Sequence, residues 1–440
     1  MANIRPFKGY RYSNEKIDNI ADVMAPPYDA LSVEETDSYY DLNPYNAVRL
    51  VAQQSKDSNP ADEYVKTRDF LDSCIKDGVL VKESKPVFYV YEETVTVNRE
   101  NYYNRGIVAL VELTDYDREI VVPCEEPSTD SKNDRLNLIS ASESNNSLIS
   151  CMYTDSSKKI SNLMAEITCK TADMDFVTKN EKRHKLWVID SEEMIDMIQK
   201  ELSDKKLFIV DGHNRYEACL EYKKGKMKEP GYTGKESYNY VMALISDSGD
   251  DGRIHLPVHR LVKCSKKFSE VYLIAGLTDN FTVEKIIVDM NDDDICETMR
   301  KQIATQRKET KIAMYTGQDY FYRFTFKGEK YLNSVMPDVS DSYRLLDLTV
   351  LNKLIFEEQL GITAENESAR VDYTRSISDG KRAVENGEFT CLFVVNPVRP
   401  PQFNAMTETG EKLPKRSVSI FPKPATGIVI HKFTDVIDND

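Results

Sequence analysis

The 440-residue sequence lacks the features that mark membrane-spanning, secreted and zinc-binding proteins. Its apolar runs, such as Leu207–Val210, are only as long as a strand, so we expect no segment that crosses a bilayer. The first twelve residues are basic and contain no apolar segment, so we expect no secretory signal. The eight cysteines include no C-x-x-C pair, and the two closest histidines, His255 and His259, flank a proline. We therefore expect reduced thiols, no zinc site and a cytoplasmic protein.

The chain also lacks an excess of positive charge, because its 58 lysines and arginines are outnumbered by 73 acidic residues, which leaves a net charge of −15. Such a chain is a poor candidate for wrapping duplex DNA or covering an anionic membrane. We therefore expect neither nucleic acid nor a membrane as a partner. The charge does not exclude a small basic pocket that holds a phosphorylated ligand.

The alternation of helix and strand patterns predicts a mixed α/β protein, and its length predicts two or three domains. Proline-rich turns near residues 25–29 and 43–46 predict that the first fifty residues form short extended pieces. We expect an N-terminal α/β region at 1–120, a core at 121–265 and a C-terminal α/β domain at 266–440. Strands are expected at 87–97, 106–113, 184–189, 206–210, 320–326 and 418–421, and helices at 61–77, 134–139, 156–168, 191–203, 216–225, 293–307 and 346–360.

The segment Lys206 to Gly225 is the most informative part of the sequence. A short apolar strand is interrupted by Asp211-Gly212, and apolar residues then recur at helical spacing. A helix that begins after such a turn leaves unpaired backbone N–H groups, which bind anions together with the positive end of the helix dipole. This pattern indicates a phosphate site.

Each side chain of that turn has a candidate role. Arg215 can bind phosphate in a bidentate manner, His213 can donate to a phosphate oxygen, and Asp211 can hold a metal-bound water or orient Arg215. A purely structural interpretation is also open: Asp211 caps the helix, Gly212 makes the turn and Arg215 pairs with a surface carboxylate.

A second candidate is the proline-bounded segment Pro123-Cys124-Glu125-Glu126-Pro127. A carboxylate such as Glu125 can serve there as a general base if it lies within hydrogen-bond reach of a substrate hydroxyl. Lys132 and Arg135 follow and can neutralise phosphate charge. The alternative is a solvated loop in which Cys124 is an ordinary thiol.

Basic islands stand out in the acidic chain at Leu256–Arg260, at Lys415-Arg416-Ser417 and at Lys423. They can complete a phosphate pocket or remain solvated. Tyr28 and Asp29 lie in a rigid proline loop. Either this loop has a structural role only, or one of these two side chains contacts a ligand.

Taken in order, these motifs resemble a bacterial and archaeal family, domain of unknown function 1015. The resemblance runs from about Ile4 to His431. It is carried by Ile4-Arg5-Pro6-Phe7, Ala25-Pro26-Pro27-Tyr28-Asp29, Asn43-Pro44-Tyr45-Asn46, Lys132-Asn133-Asp134-Arg135-Leu136, Val210-Asp211-Gly212-His213-Asn214-Arg215, Pro257-Val258-His259-Arg260 and Leu413-Pro414-Lys415-Arg416-Ser417.

That family is in turn similar to the free serine kinases of the ParB/sulfiredoxin-like fold, which phosphorylate L-serine with ADP or ATP. The resemblance implies that Glu125 is the base, that the turn Asp211-Gly212-His213-Asn214-Arg215 cradles nucleotide phosphate, and that Lys415-Arg416-Ser417 lies near the substrate. The sequence departs from the family pattern in three places. Asn214 and Cys124 stand where histidines are usual, and Pro127 stands where threonine is common.

We therefore expect a phosphotransferase that uses ADP or ATP with Mg²⁺ and acts on a small hydroxylated metabolite, L-serine first. Three rivals remain: a non-catalytic protein that binds a nucleotide or a phosphorylated metabolite, a ParB-like nucleic-acid binder and a sulfiredoxin-like reductase. The charge argues against the second, and the absence of a cysteine from the turn argues against the third. A homodimer is left open.

Overall fold

The computed structural model describes residues 2–52, 60–97, 100–125, 132–250, 252, 254–265, 268–289, 294–304, 309–328 and 330–437. Contacts divide the chain into two compact units. Unit 1 comprises Met1–Ile254 and Ile420–Asp440, and unit 2 comprises His255–Ser419. This division differs from the three regions expected from the sequence. The boundary after residue 120 falls inside unit 1, because Glu100–Glu112 pairs with Tyr240–Asp247 in one sheet.

Unit 1 contains a mixed nine-stranded sheet, which confirms the expected α/β class. Its strands follow the spatial order Val121–Pro123, Leu207–Asp211, Ile149–Tyr153, Tyr240–Asp247, Glu100–Glu112, Phe88–Val97, Arg183–Ile189 and Met174–Val177, with Ile4–Arg5 also paired to Glu100–Glu112. Two of the neighbouring pairs are parallel: the first strand with the second, and the third with the fourth. The other pairs are antiparallel.

Both faces of this sheet are covered. Along Phe88–Val97, Phe88 and Val90 join one apolar cluster, whereas Tyr89 and Tyr91 join the other. Successive side chains of a strand point to opposite faces, so a strand buried on both faces reads as a continuous apolar run. This explains why the strand pattern was clear in the sequence.

The helices of unit 1 pack on these two faces. The α-helices are Val33–Leu42, Pro60–Lys76, Lys132–Ser142, Lys159–Thr168, Glu192–Ser203 and His213–Lys226, and the 3₁₀-helices are Ile20–Val23, Tyr28–Ala30, Ala47–Leu50, Tyr116–Arg118 and Ser237–Asn239. Two small ribbons pair Tyr10–Tyr12 with Leu80–Lys82 and Ser144–Asn145 with His431–Lys432. The helix Val33–Leu42 lies where we expected extended pieces. A reciprocal capping box between Ser32 and Glu35 starts it.

Unit 2 contains an antiparallel six-stranded sheet. Its spatial order is Phe281–Ile287, Tyr320–Phe326, Lys311–Tyr315, Cys391–Val394, His259–Val262 and Val371–Thr374. Its α-helices are Glu270–Leu277, Ile295–Ile303, Lys330–Val335, Asp341–Arg344, Asp347–Val350, Glu367–Arg370, Ile377–Glu385 and Pro400–Thr409. The expected helix at 346–360 continues from Asp347–Val350 as a π-helix, Leu351–Leu360.

Two further short strands are Ile254–His255 and Ile420–Phe421, so the strand expected at 418–421 is shorter than its sequence pattern indicated. All eight cysteines carry free thiols. Within the described parts of the chain, no helix is long and apolar enough to span a bilayer.

Candidate functional site

The site in unit 1 begins where two neighbouring strands end. Leu207–Asp211 runs parallel to Val121–Pro123, with Ile209 opposite Pro123. The backbone N–H of Cys124 donates to the carbonyl of Ile209 at 3.1 Å and extends the pairing by one residue. Because the strands are parallel, this register carries Glu125 and Asp211 to the same edge of the sheet. The expected base and the expected turn are therefore neighbours.

Gly212 makes the turn into the helix His213–Lys226. Its φ of 89° lies in the left-handed region, which side chains other than glycine rarely adopt. A Cβ at this position would lie 2.8 Å from a methyl carbon of Ile149 and 3.0 Å from Nη2 of Arg215. The helix start carries no side-chain cap. Its first N–H groups are the kind of donors that bind anions.

Asp211 does not cap this helix. Its Oδ2 accepts from Nη2 of Arg215 at 2.7 Å, and its Oδ1 lies 2.6 Å from Nζ of Lys423. Burial alone would raise the pKa of Asp211, but the charges of Lys423 and Arg215 outweigh burial and hold that pKa well below its usual range. Asp211 is therefore a fixed carboxylate that positions two cations.

Lys423 contacts a second carboxylate as well. Its Nζ lies 2.6 Å from Oδ2 of Asp29, in the 3₁₀-helix Tyr28–Ala30. Burial lowers the pKa of Lys423, but Asp211 and Asp29 raise it by more, so the ammonium stays charged. The proline loop, which we had weighed between a structural and a ligand role, contributes a side chain to the site.

Arg215 is largely engaged by the protein itself. Its Nη1 donates to Oγ of Ser147 at 2.9 Å and to the carbonyl of Leu148, and its Nη2 donates to Asp211. These contacts tie the turn to the loop before the strand Ile149–Tyr153. The buried Nε has no hydrogen-bond partner. Arg215 therefore fixes the turn, and its Nε is left without a partner in the protein.

His213 and Asn214 open the helix beside Asp211. The Nε2 atom of His213 is buried and has no hydrogen-bond partner. A buried polar atom without a partner is costly and uncommon in a folded protein. Nε2 of His213 is therefore a polar atom at the helix start that the protein itself leaves unsatisfied.

Lys132 and Arg135 lie on the helix Lys132–Ser142, which packs against the helix His213–Lys226. Lys132 forms an ion pair at 2.5 Å with Glu221, which lies more than two turns after the start of the helix His213–Lys226. Arg135 stacks on Tyr28, with its guanidinium carbon 4.1 Å from the ring centroid, and pairs with Asp134. Both expected phosphate ligands are thus engaged by protein partners.

Lys415, Arg416 and Ser417 belong to unit 2, whereas the turn and Glu125 belong to unit 1. Nη2 of Arg260 donates to the carbonyls of Lys415 and Arg416 at 3.1 and 3.2 Å. Ser417 is buried and donates to the carbonyl of Pro414. Two basic islands of the sequence therefore combine into a local structure within unit 2.

Comparison with known proteins identifies the family. The model of a family described as a protein of unknown function, DUF1015, matches residues 4–349. The chain belongs to the DUF1015 family. This confirms the resemblance to that family over residues 4–349, whereas the last of the motifs, Leu413–Ser417, lies beyond the matched residues.

No curated protein matches this DUF1015 chain. Among solved structures, a conserved hypothetical protein from Pyrococcus furiosus is similar at 13% identity, covering 71% of this chain and 90% of its own, with a TM-score of 0.34. A free serine kinase in complex with AMP is similar at 12%, covering 71% and 86%, with a TM-score of 0.32. SbnI with a C-terminal truncation, from Staphylococcus aureus, is similar at 10%, covering 72% and 85%, with a TM-score of 0.33. These TM-scores are too low to carry an argument about the site.

Cys124 stands beside the site of the DUF1015 chain, and its surroundings disfavour the thiolate form. Burial, followed by the charge of Glu125, raises the pKa of its thiol well above the ordinary value. A nucleophilic cysteine requires the opposite shift, because the thiolate is the reactive form. The described residues also contain no group of three or more His, Cys, Asp or Glu side chains that could hold a metal ion.

Sequence reasoning gave little weight to Lys423 and did not include Ser147. Lys423 follows Phe421-Pro422 and was noted only as part of a basic island. Its importance comes from Asp211 and Asp29, which are distant in sequence and adjacent in the fold. The order of the proline motifs along the sequence indicated a family, but it did not indicate that Lys423 contacts Asp211 and Asp29.

Proposed function

We propose that this protein transfers a phosphoryl group from ADP or ATP to the hydroxyl of a small metabolite, with L-serine as the first candidate. The observation that carries the proposal is the shared strand edge. The parallel register brings the chain at Glu125 and at Asp211 to one edge of the sheet, from which the uncapped helix His213–Lys226 begins. A base next to an anion site is the minimum that phosphoryl transfer requires, because its catalysis is mostly positioning and electrostatics.

In the proposed reaction, Glu125 accepts the proton of the substrate hydroxyl. The hydroxyl oxygen then forms a bond to the terminal phosphorus, and the bond from that phosphorus to the bridging oxygen of the nucleotide breaks. The products are a phosphomonoester and AMP from ADP, or ADP from ATP. The N–H groups that follow Gly212 hold the phosphate oxygens, and Lys423 and the Nε of Arg215 supply positive charge.

Nε2 of His213 supports this assignment, because it is a buried polar atom without a protein partner at the start of that helix. Asn214 contributes a further polar side chain there. Lys132 and Arg135 would act at a distance, by holding the neighbouring helix and Tyr28. Lys415, Arg416 and Ser417 remain proposed substrate contacts on resemblance alone.

Mg²⁺ belongs to the proposal as the counterion of the nucleotide. It neutralises phosphate charge and usually keeps several waters, with one or two carboxylates as protein ligands. Asp211 already contacts two cations, so its part is to orient Lys423 and Arg215. A ParB/sulfiredoxin-like core at 121–265 and a cytoplasmic location, where nucleotides and free amino acids occur, belong to the same proposal.

A second candidate is a binding protein that holds the nucleotide without chemistry. Cys124 favours it, because a buried thiol with a raised pKa replaces the imidazole expected beside Glu125. Isothermal titration calorimetry with ADP and ATP in the presence of Mg²⁺, followed by product analysis of the same samples, separates the two. Binding with a phosphomonoester product supports the kinase, and binding without product over a panel of hydroxylated amino acids supports the binding protein. Absence of nucleotide binding contradicts both.

A further inference from the structure

Two cysteines of unit 2, Cys264 and Cys391, lie in contact although 127 positions separate them along the chain. Their Sγ atoms are 3.9 Å apart. The antiparallel pairing of His259–Val262 with Cys391–Val394 brings them together, because it places Val262 opposite Cys391, and Cys264 follows two residues later. The sheet of unit 2 therefore holds two thiols side by side.

The backbone at Cys264 lies just beyond the strand of which Val262 is the last residue. The N–H of Cys264 donates to a side-chain atom, Oγ1 of Thr390, at 2.9 Å. The N–H of Thr390 donates to the carbonyl of Val262 at 2.8 Å and keeps the neighbouring strand in place. A disulfide requires the two sulfur atoms to approach to about 2.0 Å. Cys264 can make this approach while the backbone pairing of the two strands stays intact.

The two thiols differ in access and in acidity. Cys264 is partly exposed, whereas Cys391 is fully buried. A hydrogen bond from the Cys391 thiol, together with the charge of Arg370, lowers the pKa of Cys264, although burial opposes both. The same hydrogen bond and burial raise the pKa of Cys391 well above its ordinary value. Cys264 is thus the thiol that forms the nucleophilic thiolate, and Cys391 is the thiol that keeps its proton.

Arg370 is fixed beside Cys264 by the backbone. Its Nε donates to the carbonyl of Lys263 at 3.1 Å, and its Nη1 donates to the carbonyl of Leu360 at 3.1 Å. A guanidinium held next to a thiol stabilises the thiolate. The positive charge near Cys264 is therefore a built feature of this part of unit 2.

Cys296 provides a contrast within the same unit. It is partly exposed, as Cys264 is, but burial and the charge of Asp294 raise the pKa of its thiol to about 11. Cysteines that sense oxidants combine a low pKa with access and often lie next to a second, resolving cysteine. Cys264 has all three properties, and Cys296 lacks the low pKa.

We propose that Cys264 and Cys391 form an oxidation site for hydrogen peroxide, which converts the two thiols into one disulfide. This inference goes beyond the proposed phosphoryl transfer and does not depend on it. In disulfides of proteins from reducing compartments, the bond is usually transient. The resting state is therefore the pair of free thiols that the structure shows.

The reaction has two steps. The thiolate of Cys264 attacks one oxygen of the peroxide, the O–O bond breaks, and Cys264 becomes a sulfenic acid. The departing hydroxide takes up the proton that Cys264 released. The sulfur of Cys391 then attacks the sulfur of Cys264, the S–O bond breaks, and the hydroxyl group leaves as water with the proton of Cys391. Two thiols and one peroxide thus yield one disulfide and two waters, and the second step protects Cys264 from irreversible oxidation.

The test is mass spectrometry of the full chain after treatment with hydrogen peroxide. The peroxide concentration is raised until Cys169, an exposed thiol of unit 1, is oxidised. The remaining thiols are then alkylated under denaturing conditions, and the protein is digested without reductant. We expect two peptides linked through Cys264 and Cys391 that dithiothreitol separates. Alkylation of both thiols in a sample with oxidised Cys169 overturns the proposal, as does a cross-link that forms only when peroxide is added in urea.

Three variants assign the roles. Cys391→Ala should stop the reaction at the sulfenic acid of Cys264, which dimedone labels, and no disulfide should form. Cys264→Ser should leave Cys391 reduced, because Cys391 is buried. Cys296→Ser is the matched control and should give the wild-type yield of the cross-link. Oxidation of Cys391 at the wild-type rate in the folded Cys264→Ser protein would overturn the assignment of Cys264 as the attacking thiol.

Discussion

Nζ of Lys423 lies 2.6 Å from Oδ1 of Asp211, although one residue stands near the end of the chain and the other at the end of a central strand. The last segment of unit 1 therefore completes the turn that the strand begins. Asp29 contacts the same ammonium group, so three separate segments meet at one charge.

The first prediction concerns this ion pair. Asp211→Asn and Lys423→Met should each lower the free energy of unfolding by about 1–3 kcal/mol, and the double variant by less than their sum, with a coupling energy of about 0.5–3 kcal/mol. Urea unfolding of the wild type, the two single variants and the double variant measures this coupling energy. The exposed pair Lys224–Asp115 is the matched control, with a coupling below about 1 kcal/mol. Equal coupling in both cycles would contradict the account.

The second prediction concerns the two glycines of one helix segment. Gly212→Ala should destabilise by about 1–3 kcal/mol and weaken ADP binding, because the left-handed φ and the contact with Ile149 exclude a Cβ. Gly225→Ala adds a Cβ into open space inside the same helix and should stabilise by about 0.5–1 kcal/mol. Thermal unfolding with and without ADP measures both. If Gly212→Ala and Gly225→Ala changed the affinity for ADP equally, that result would argue against a phosphate site at the turn.

The third prediction concerns His213, whose Nε2 has no protein partner. His213→Ala should leave the free energy of unfolding nearly unchanged or slightly raised, because it removes an unsatisfied buried atom. The same variant should weaken ADP binding about 10-fold if that atom meets phosphate. A variant that is destabilised while its ADP affinity is intact would assign His213 to the fold alone.

The fourth prediction concerns pH. Burial, reinforced by the charge of Lys182, lowers the pKa of His184 from 6.5 to about 3. Between these values the unfolded chain binds the proton and the folded chain does not, so stability falls as the pH falls from about 6.5 to about 3. His184→Asn should make that decline shallower, by up to about 1.4 kcal/mol per pH unit. Urea unfolding at several pH values measures it, and an unchanged slope would contradict the assignment.

Glu93 changes the stability with pH in the opposite direction to His184 over part of that pH range. Its pKa is raised to about 7 by burial, so the folded chain holds the proton while the unfolded chain has lost it. Its contribution to stability therefore falls as the pH rises from about 4.5 to about 7. Glu93→Gln removes this contribution and provides the control for the sign of the histidine effect.

The strand and helix around Gly212 were predictable because their signals are local. An apolar strand, a glycine and an apolar pattern at helical spacing follow one another within twenty residues. The helix Val33–Leu42 also had a local signal, the capping box of Ser32 and Glu35, but only Thr36 among its residues is buried. The apolar pattern that supports most helix predictions was therefore absent.

The contacts of Lys423 were not predictable in the same way. These contacts depend on which distant segments of the chain the fold brings together. The spacing of residue types along the sequence does not reveal this. The same limit applies to the domain boundaries, because residues 420–440 return to unit 1 after the whole of unit 2. Lys415 and Lys423 are close in sequence and belong to different units, which charge patterns alone do not reveal.

The most direct test of the central claim is ³¹P NMR of the protein with Mg²⁺, ADP or ATP, and L-serine. The account predicts a new phosphomonoester signal whose rate of formation falls by about 10²–10⁴-fold in Glu125→Gln, with nucleotide affinity unchanged. Glu221→Gln, at the far ion pair with Lys132, serves as the control and should retain the wild-type rate. Product formed at an undiminished rate by Glu125→Gln, or no product from any hydroxylated amino acid while nucleotide stays bound, would contradict the assignment of this edge as a kinase site.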